Sequence, residues 1–236
     1  ISVIDDKSPT AWEESWHNTN NSSAQLTHTG GSAGVLGYAN SFGGFDLSVE
    51  YAPALTSADN GDGVAGGDDT SLANGSNINF NVQNSSLIEG LTFGFGAGES
   101  DYDDDAAGSG NEDGSSVAGF ANYTMGSITA GITLTDSNNA RQSTSGTDND
   151  GGREVEAYGI SMAVNENLSI SYNEHNTTFR KSGSDGADVE QEAQGIAIAY
   201  TMGGATLAIQ NNTMDNVGGT AASNDEITEV SLSLAF

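Results

Sequence analysis

Short runs in which apolar and polar residues strictly alternate limit what this chain can become. In the closing run, Val230, Leu232, Leu234 and Phe236 fall on one side, and Glu229, Ser231, Ser233 and Ala235 on the other. A repeat of two residues marks a β-strand with one apolar and one polar face. Similar runs come in pairs along the chain: 34–40 with 45–51, 77–83 with 91–98, 117–124 with 128–135, 155–164 with 168–173, and 194–201 with 205–211. With the closing run this gives about eleven strands, their ends uncertain by roughly two to four residues. The chain therefore reads as all-β and antiparallel.

The connections sort as cleanly as the strands. Within each pair the link is short and rich in Gly, Asn and Ser, as at Ser41-Phe42-Gly43-Gly44, Met125-Gly126-Ser127 and Met202-Gly203-Gly204. Between pairs it is long, polar and acidic: 53–76, 99–116, 136–154, 174–192 and 213–228. This alternation puts all tight turns at one end of a sheet and all long loops at the other, as in transmembrane barrels of the outer membrane. A soluble sandwich mixes its crossings and does not sort them by length.

Composition excludes several classes. Five Lys and Arg face 33 Asp and Glu, a net charge of −28, so no cationic footprint for nucleic acid exists. Cysteine is absent, which removes disulfides and thiolate chemistry. The histidines His17, His28 and His175 have no ligand spacing. No run of eighteen apolar residues provides a membrane helix, but barrel strands are apolar on one face only and escape that criterion. Residues 1–7 carry no signal peptide, so either one has been removed or residue 1 is not the biological start. No Walker A sequence occurs, and the carboxylates are spread over loops and define no glycosidase pair, so an enzyme is not expected.

One face carries large apolar residues and the other Gly, Ala, Ser, Thr, Asn and Gln. Alternation alone does not say which face meets water. A lipid-facing apolar side is favoured by the scarcity of Lys and Arg in the strands. It is also favoured by aromatics beside the short turns: Tyr38, Phe42, Phe45, Tyr123, Tyr200 and Phe236. They are expected to form a membrane-interface girdle.

The stretch Gly34-Val35-Leu36-Gly37-Tyr38-Ala39-Asn40-Ser41-Phe42-Gly43-Gly44-Phe45-Asp46-Leu47-Ser48-Val49-Glu50-Tyr51 resembles the region after the constriction loop in trimeric general porins of Gram-negative bacteria. Barrels of the outer membrane also commonly end on an aromatic, as here. The resemblance implies a transmembrane barrel of about sixteen strands, of which this chain supplies the C-terminal portion. Eleven strands leave an open edge that lipid does not tolerate. Either about five N-terminal strands are missing or a further strand lies in 1–32, where 19–29 is the weak candidate.

On this resemblance residues 1–32 are an inward-folded, constriction-loop-like segment and 33–236 the barrel. Asp5, Asp6, Glu13 and Glu14 become candidates for the acidic side of the pore, with solvated loop carboxylates as the plainer reading. Trp12 and Trp16 are expected to pack that loop against the wall or a neighbouring subunit. Family porins oppose the acidic loop with a basic cluster, of which this chain supplies almost nothing; either that cluster sits in the missing strands or the pore is cation-selective, the bias expected here. The acidic loops hold Asp59 and Asp62, and Asp101, Asp103, Asp104 and Asp105. Their hard oxygens suit Ca²⁺, although no complete calcium loop is present. No cofactor is required. The expected partners are outer-membrane lipid and lipopolysaccharide, small hydrophilic solutes, and two further copies in a homotrimer. The competing reading is a secreted or surface-attached acidic Ca²⁺-binding β protein of the adhesin or S-layer type.

Overall fold

A computed structural model describes residues 36–52, 74–102, 114–138, 152–181 and 187–235. They form one antiparallel sheet of eleven strands in strict sequence order. The strands are β1 (Leu36–Phe42), β2 (Phe45–Ala52), β3 (Asn74–Asn84), β4 (Leu91–Tyr102), β5 (Gly114–Met125), β6 (Ile128–Asn138), β7 (Arg153–Ala163), β8 (Leu168–Phe179), β9 (Val189–Met202), β10 (Ala205–Asp215) and β11 (Asp225–Leu234). β1 and β11 are the edges of the sheet, which is not closed. Residues 1–35 lie outside the described residues, and so does the candidate strand at 19–29.

About eleven strands were expected and the described residues form eleven, but the expected loops 53–76, 99–116, 136–154, 174–192 and 213–228 are all too long, since β3 starts at Asn74, β10 runs to Asp215 and β11 starts at Asp225. Glu99 and Asp136 continue β4 and β6; Glu174 and the residues to Phe179 continue β8; Glu190 and Glu192 belong to β9. The apolar alternation stops at these positions because the outward residues turn polar. Pairing does not stop: Glu174 sits opposite Gln194, and Glu192 opposite Asn176. Hydrogen bonding between backbones is indifferent to that change of side chain.

The short turns are fixed by local chemistry. Gly43 and Gly44 have φ of 60° and 83°, the left-handed pair that a two-residue hairpin turn requires. The longer turn after β3 is organised by Asn84. Its carboxamide donates to the Gly44 carbonyl at 2.6 Å and accepts from the Ser86 and Leu87 amides at 2.9 and 2.7 Å. Asn84 is fully buried and joins two neighbouring turns. Asn84→Ala is expected to cost about 2–4 kcal/mol, since three bonds of a buried carboxamide are lost. Urea unfolding of the reconstituted protein checks this.

Pairing climbs steadily across the sheet. Following directly opposed residues from Phe42, the last residue of β1, the path passes Ile132 and Tyr158 and reaches Glu226, the second residue of β11. It starts at the short-turn rim and ends at the long-loop rim. A constant stagger of this kind is the condition for a sheet to curl into a tilted barrel.

The two faces differ sharply in exposure. On β9, Ala193 and Ala197 are 1% and 2% exposed, whereas Ile196 and Ile198 are 52% and 47% exposed. The sheltered side is hereafter the inner face and the open side the outer face. The buried set is mostly small or polar and includes Thr133, Thr135, Asn173, Thr177 and Asn212. The large apolar side chains form a band on the outer face. One row of opposed residues runs Ile128, Met162, Ile170, Ile198, Ile209, Val230 across six strands. This inverts the arrangement of a water-soluble sheet, which hides its apolar face.

Candidate functional site

The inner face is the surface on which chemistry can occur, because the outer face offers only hydrocarbon across its middle. At β1–β3 a hollow of about 660 Å³ opens beside Ser41, Asp46, Ser48, Asn81 and Gln83. Ser41 donates to Asp46 at 2.5 Å, and Asn81 to Ser48 at 3.4 Å. Glu50 follows Asp46 and Ser48 on the same face of β2. At the other edge Gln210 of β10 donates to Glu229 of β11 at 2.8 Å. The described wall thus carries carboxylates at both ends. The described cation on this face is Arg153, at the long-loop rim, with its guanidinium carbon 5.0 Å from the centre of the Phe179 ring.

The middle of the inner face is uncharged and polar. Asn122, Thr133, Thr135, Asn173 and Asn212 each present a buried side-chain nitrogen or oxygen with no hydrogen-bond partner in the protein. A buried polar atom left unpaired costs about 1–3 kcal/mol. Several in one zone set this face apart from a packed apolar core.

The loop between β10 and β11 folds toward this face. Its short 3-10 turn, Val217–Gly219, is held by the Gly218 amide donating to Gln191 Oε1 at 2.8 Å. Gln191 belongs to the inner set of β9, in line with Ala193 and Ala197, and is buried. Asn216 adopts a left-handed conformation, accepts the Ala222 amide at 2.9 Å and donates to the Glu190 carbonyl at 2.8 Å. A long loop therefore reaches inward at the rim beside β8 and β9. Sequence reasoning missed it; the available signals were Asn216 with Gly218-Gly219 and the glutamine Gln191 on the alanine-lined face of β9.

On the outer side of the same rim Arg180 makes two short contacts to Asp136, at 2.6 and 2.8 Å, and longer ones to Asn138 and Glu154 at 3.2 and 3.4 Å. Its hydrogen bonds to the Asp136 carboxylate hold the guanidinium pKa above its usual value. The residue ties β6, β7 and the end of β8 together where the strands leave the apolar band.

The sequence-selected residues are distributed as follows. Tyr38, Phe42, Phe45, Tyr123 and Tyr200 are exposed. By register Tyr38 and Phe42 stand opposite Val49 and Phe45, and Tyr123 opposite Leu91, in the outer set. Asp101 belongs to the end of β4 rather than to a loop. Asp5, Asp6, Glu13, Glu14, Asp59, Asp62, Asp103, Asp104, Asp105, Trp12, Trp16 and Phe236 lie outside the described residues. Among the described residues no group of three His, Asp or Glu side chains is arranged to hold a metal ion.

No protein-family model matches the chain. No curated protein sequence matches it either. Solved structures do. A refined porin structure aligns with a TM-score of 0.55 at 15% identity, over 86% of this chain and 61% of the porin. OmpT, an outer-membrane protein of Vibrio cholerae folded in vitro and in trimer form, aligns with a TM-score of 0.57 at 12% identity, over 90% of this chain and 68% of OmpT. The chain thus spans about two thirds of the length of these barrels or slightly less. The likeness establishes the fold: an antiparallel sheet with the curvature of outer-membrane barrels.

Proposed function

We propose that this chain forms most of the wall of a passive diffusion channel in the outer membrane of a Gram-negative bacterium. It passes small hydrophilic solutes, prefers cations and works as a trimer. The observation that carries this reading is the inversion of the faces: isoleucine outside and alanine inside on the same strand. A soluble acidic β protein would not leave such a band open to water, where the largest apolar patch on a typical monomer is about 300–600 Å². Hydrocarbon removes that difficulty and turns the polar face toward an aqueous lumen.

Asp46, Glu50 and Glu229 on the inner face support the cation preference. A carboxylate in a narrow wet pore concentrates cations, and low-dielectric walls strengthen its field. Asp5, Asp6, Glu13 and Glu14 are proposed to add to it at the constriction. Asp59, Asp62, Asp101, Asp103, Asp104 and Asp105 are proposed to meet lipopolysaccharide through divalent ions such as Ca²⁺. The trimer is supported by the trimer form of the V. cholerae protein.

Two measurements test the reading. Extraction should require detergent; recovery as a monomer in plain buffer refutes membrane insertion. In planar bilayers under a salt gradient, the reversal potential should have the sign of cation selectivity and should shrink as ionic strength rises. An anion-selective sign refutes the electrostatic part alone.

A further inference from the structure

The inner face is not sheltered evenly. Ala193 and Ala197 of β9 are buried, but at β1–β3 the side chains of Ser41, Asp46 and Gln83 are exposed. Register sets these three side by side: Asp46 stands directly opposite Ser41 of β1 on one side and Gln83 of β3 on the other. The next row of the same face is Ala39, Ser48 and Asn81. Both rows line the hollow of about 660 Å³. Small-molecule sites commonly span about 300–1,000 Å³, so a sugar-sized molecule fits here. Oδ1 of Asp46 accepts the Ser41 hydroxyl at 2.5 Å, and no hydrogen bond from the described residues reaches Oδ2. The Gln83 carboxamide likewise makes no hydrogen bond among the described residues. The inner positions of β1 are Gly37, Ala39 and Ser41, so no long side chain screens the carboxylate from that side.

We infer that this hollow is a binding station for protonated vicinal amino alcohols, with 2-amino sugars as the type, an inference that rests on the channel reading. An ammonium group on the open oxygen of Asp46 makes a charge-assisted bond, roughly twice as strong as a neutral one. Gln83, one strand away at about 4.8 Å, offers two N–H donors and an acceptor oxygen to a hydroxyl. A solute with both groups on neighbouring carbons engages the two side chains at once. Ser48 and Asn81, joined at 3.4 Å, give the rest of a sugar ring a polar floor. A neutral sugar forgoes the charge-assisted bond, and a simple ammonium ion forgoes Gln83. A calcium ion is a poorer fit, because it takes about six to eight oxygens and Asp46 is the one carboxylate in the two rows. Arg153, the described cation of this face, lies five strands away on β7 and does not compete for Asp46.

The test uses the full chain purified from the membrane and inserted in planar bilayers with a potassium chloride background. Protonated glucosamine is compared with N-acetylglucosamine, which keeps the ring and loses the charge, and with methylammonium, which keeps the charge and loses the hydroxyls. The expected result is a saturable reduction of potassium current by glucosamine and by neither of the others. Asp46→Asn keeps the shape of the side chain and should raise the half-saturating concentration about tenfold; Gln83→Ala should raise it about threefold to fivefold. Glu229→Gln, at the far edge on β11, should lower cation selectivity and leave half-saturation where it is. Reduction by glucosamine that never saturates overturns the inference, and so does equal saturation by N-acetylglucosamine or methylammonium. Half-saturation unchanged in Asp46→Asn, or raised as much by Glu229→Gln, also overturns it. Each of these results leaves a conducting pore and removes the station alone, whereas no conductance at all overturns the channel reading with it.

Discussion

Ile209→Arg should prevent stable insertion, while Gln210→Arg, one residue along, should insert normally and weaken the proposed cation selectivity. Ile209 lies in the outer row between Ile198 and Val230, 45% exposed. Arginine near the middle of the lipid-facing side of a barrel costs about 2–4 kcal/mol. That is a large part of the stability of an ordinary protein, commonly about 5–15 kcal/mol. Gln210 points to the other face and already donates to Glu229 at 2.8 Å. An arginine there gains a carboxylate partner and adds a positive charge to the lumen, so the reversal potential should move toward zero. The measurements are folded fraction in lipid vesicles across a urea series and reversal potential for the second variant. The two-residue repeat makes the contrast sharp, because adjacent side chains occupy opposite faces. In a water-soluble sheet with Ile209 already exposed, arginine would be nearly neutral. Equal stability of Ile209→Arg and the wild type in lipid would therefore refute the assignment of the outer face.

Much of this architecture was legible in the sequence, for identifiable reasons. The short-turn ends of strands were placed well because the turns carry their own chemistry: the Gly43-Gly44 pair, and Asn165, whose side chain accepts the Asn167 and Leu168 amides. The long-loop ends were misplaced because apolar alternation reports the membrane boundary, not the end of pairing. Glu154, Glu190 and Glu192 stand beyond that boundary and still belong to strands. The direction of the faces was not fixed by periodicity, since a soluble and a lipid-facing strand share the same period. Exposure of Ile196 beside buried Ala197 decides it. The alignment of Asn122, Asn173 and Asn212 across the inner face was illegible for another reason. Each of Asn122, Asn173 and Asn212 is an ordinary polar residue in its own strand, and only the register of six strands aligns them.

Cutting the inward loop loose should change the channel's mouth more than any other local alteration on the long-loop side. The Val217–Gly219 turn is held against the inner face by the bond to Gln191, and against the edge of β9 by Asn216 donating to the Glu190 carbonyl. Internal bonds give the loop its shape, among them Val217 N–H to the Ser223 carbonyl at 2.7 Å. Gln191→Ala removes the anchor on the lumen side and leaves that internal set in place. One such bond contributes about 1 kcal/mol net, so the loop's opening equilibrium should rise about fivefold, and further in the double variant Gln191→Ala with Asn216→Gly. An open loop exposes backbone to proteases and leaves the aperture at β8 and β9, so cleavage between 216 and 224 should accelerate in step with opening. Single-channel conductance should rise, and open-channel noise should increase as the loop samples both positions. The comparison variant is Asn211→Ala, whose bonds run to Glu226 and Thr228 on the outer face and do not touch the loop. If Gln191→Ala matches Asn211→Ala in conductance, noise and cleavage, the loop does not control the mouth. The inner face then narrows elsewhere, with Asp5, Asp6, Glu13 and Glu14 the next residues to neutralise.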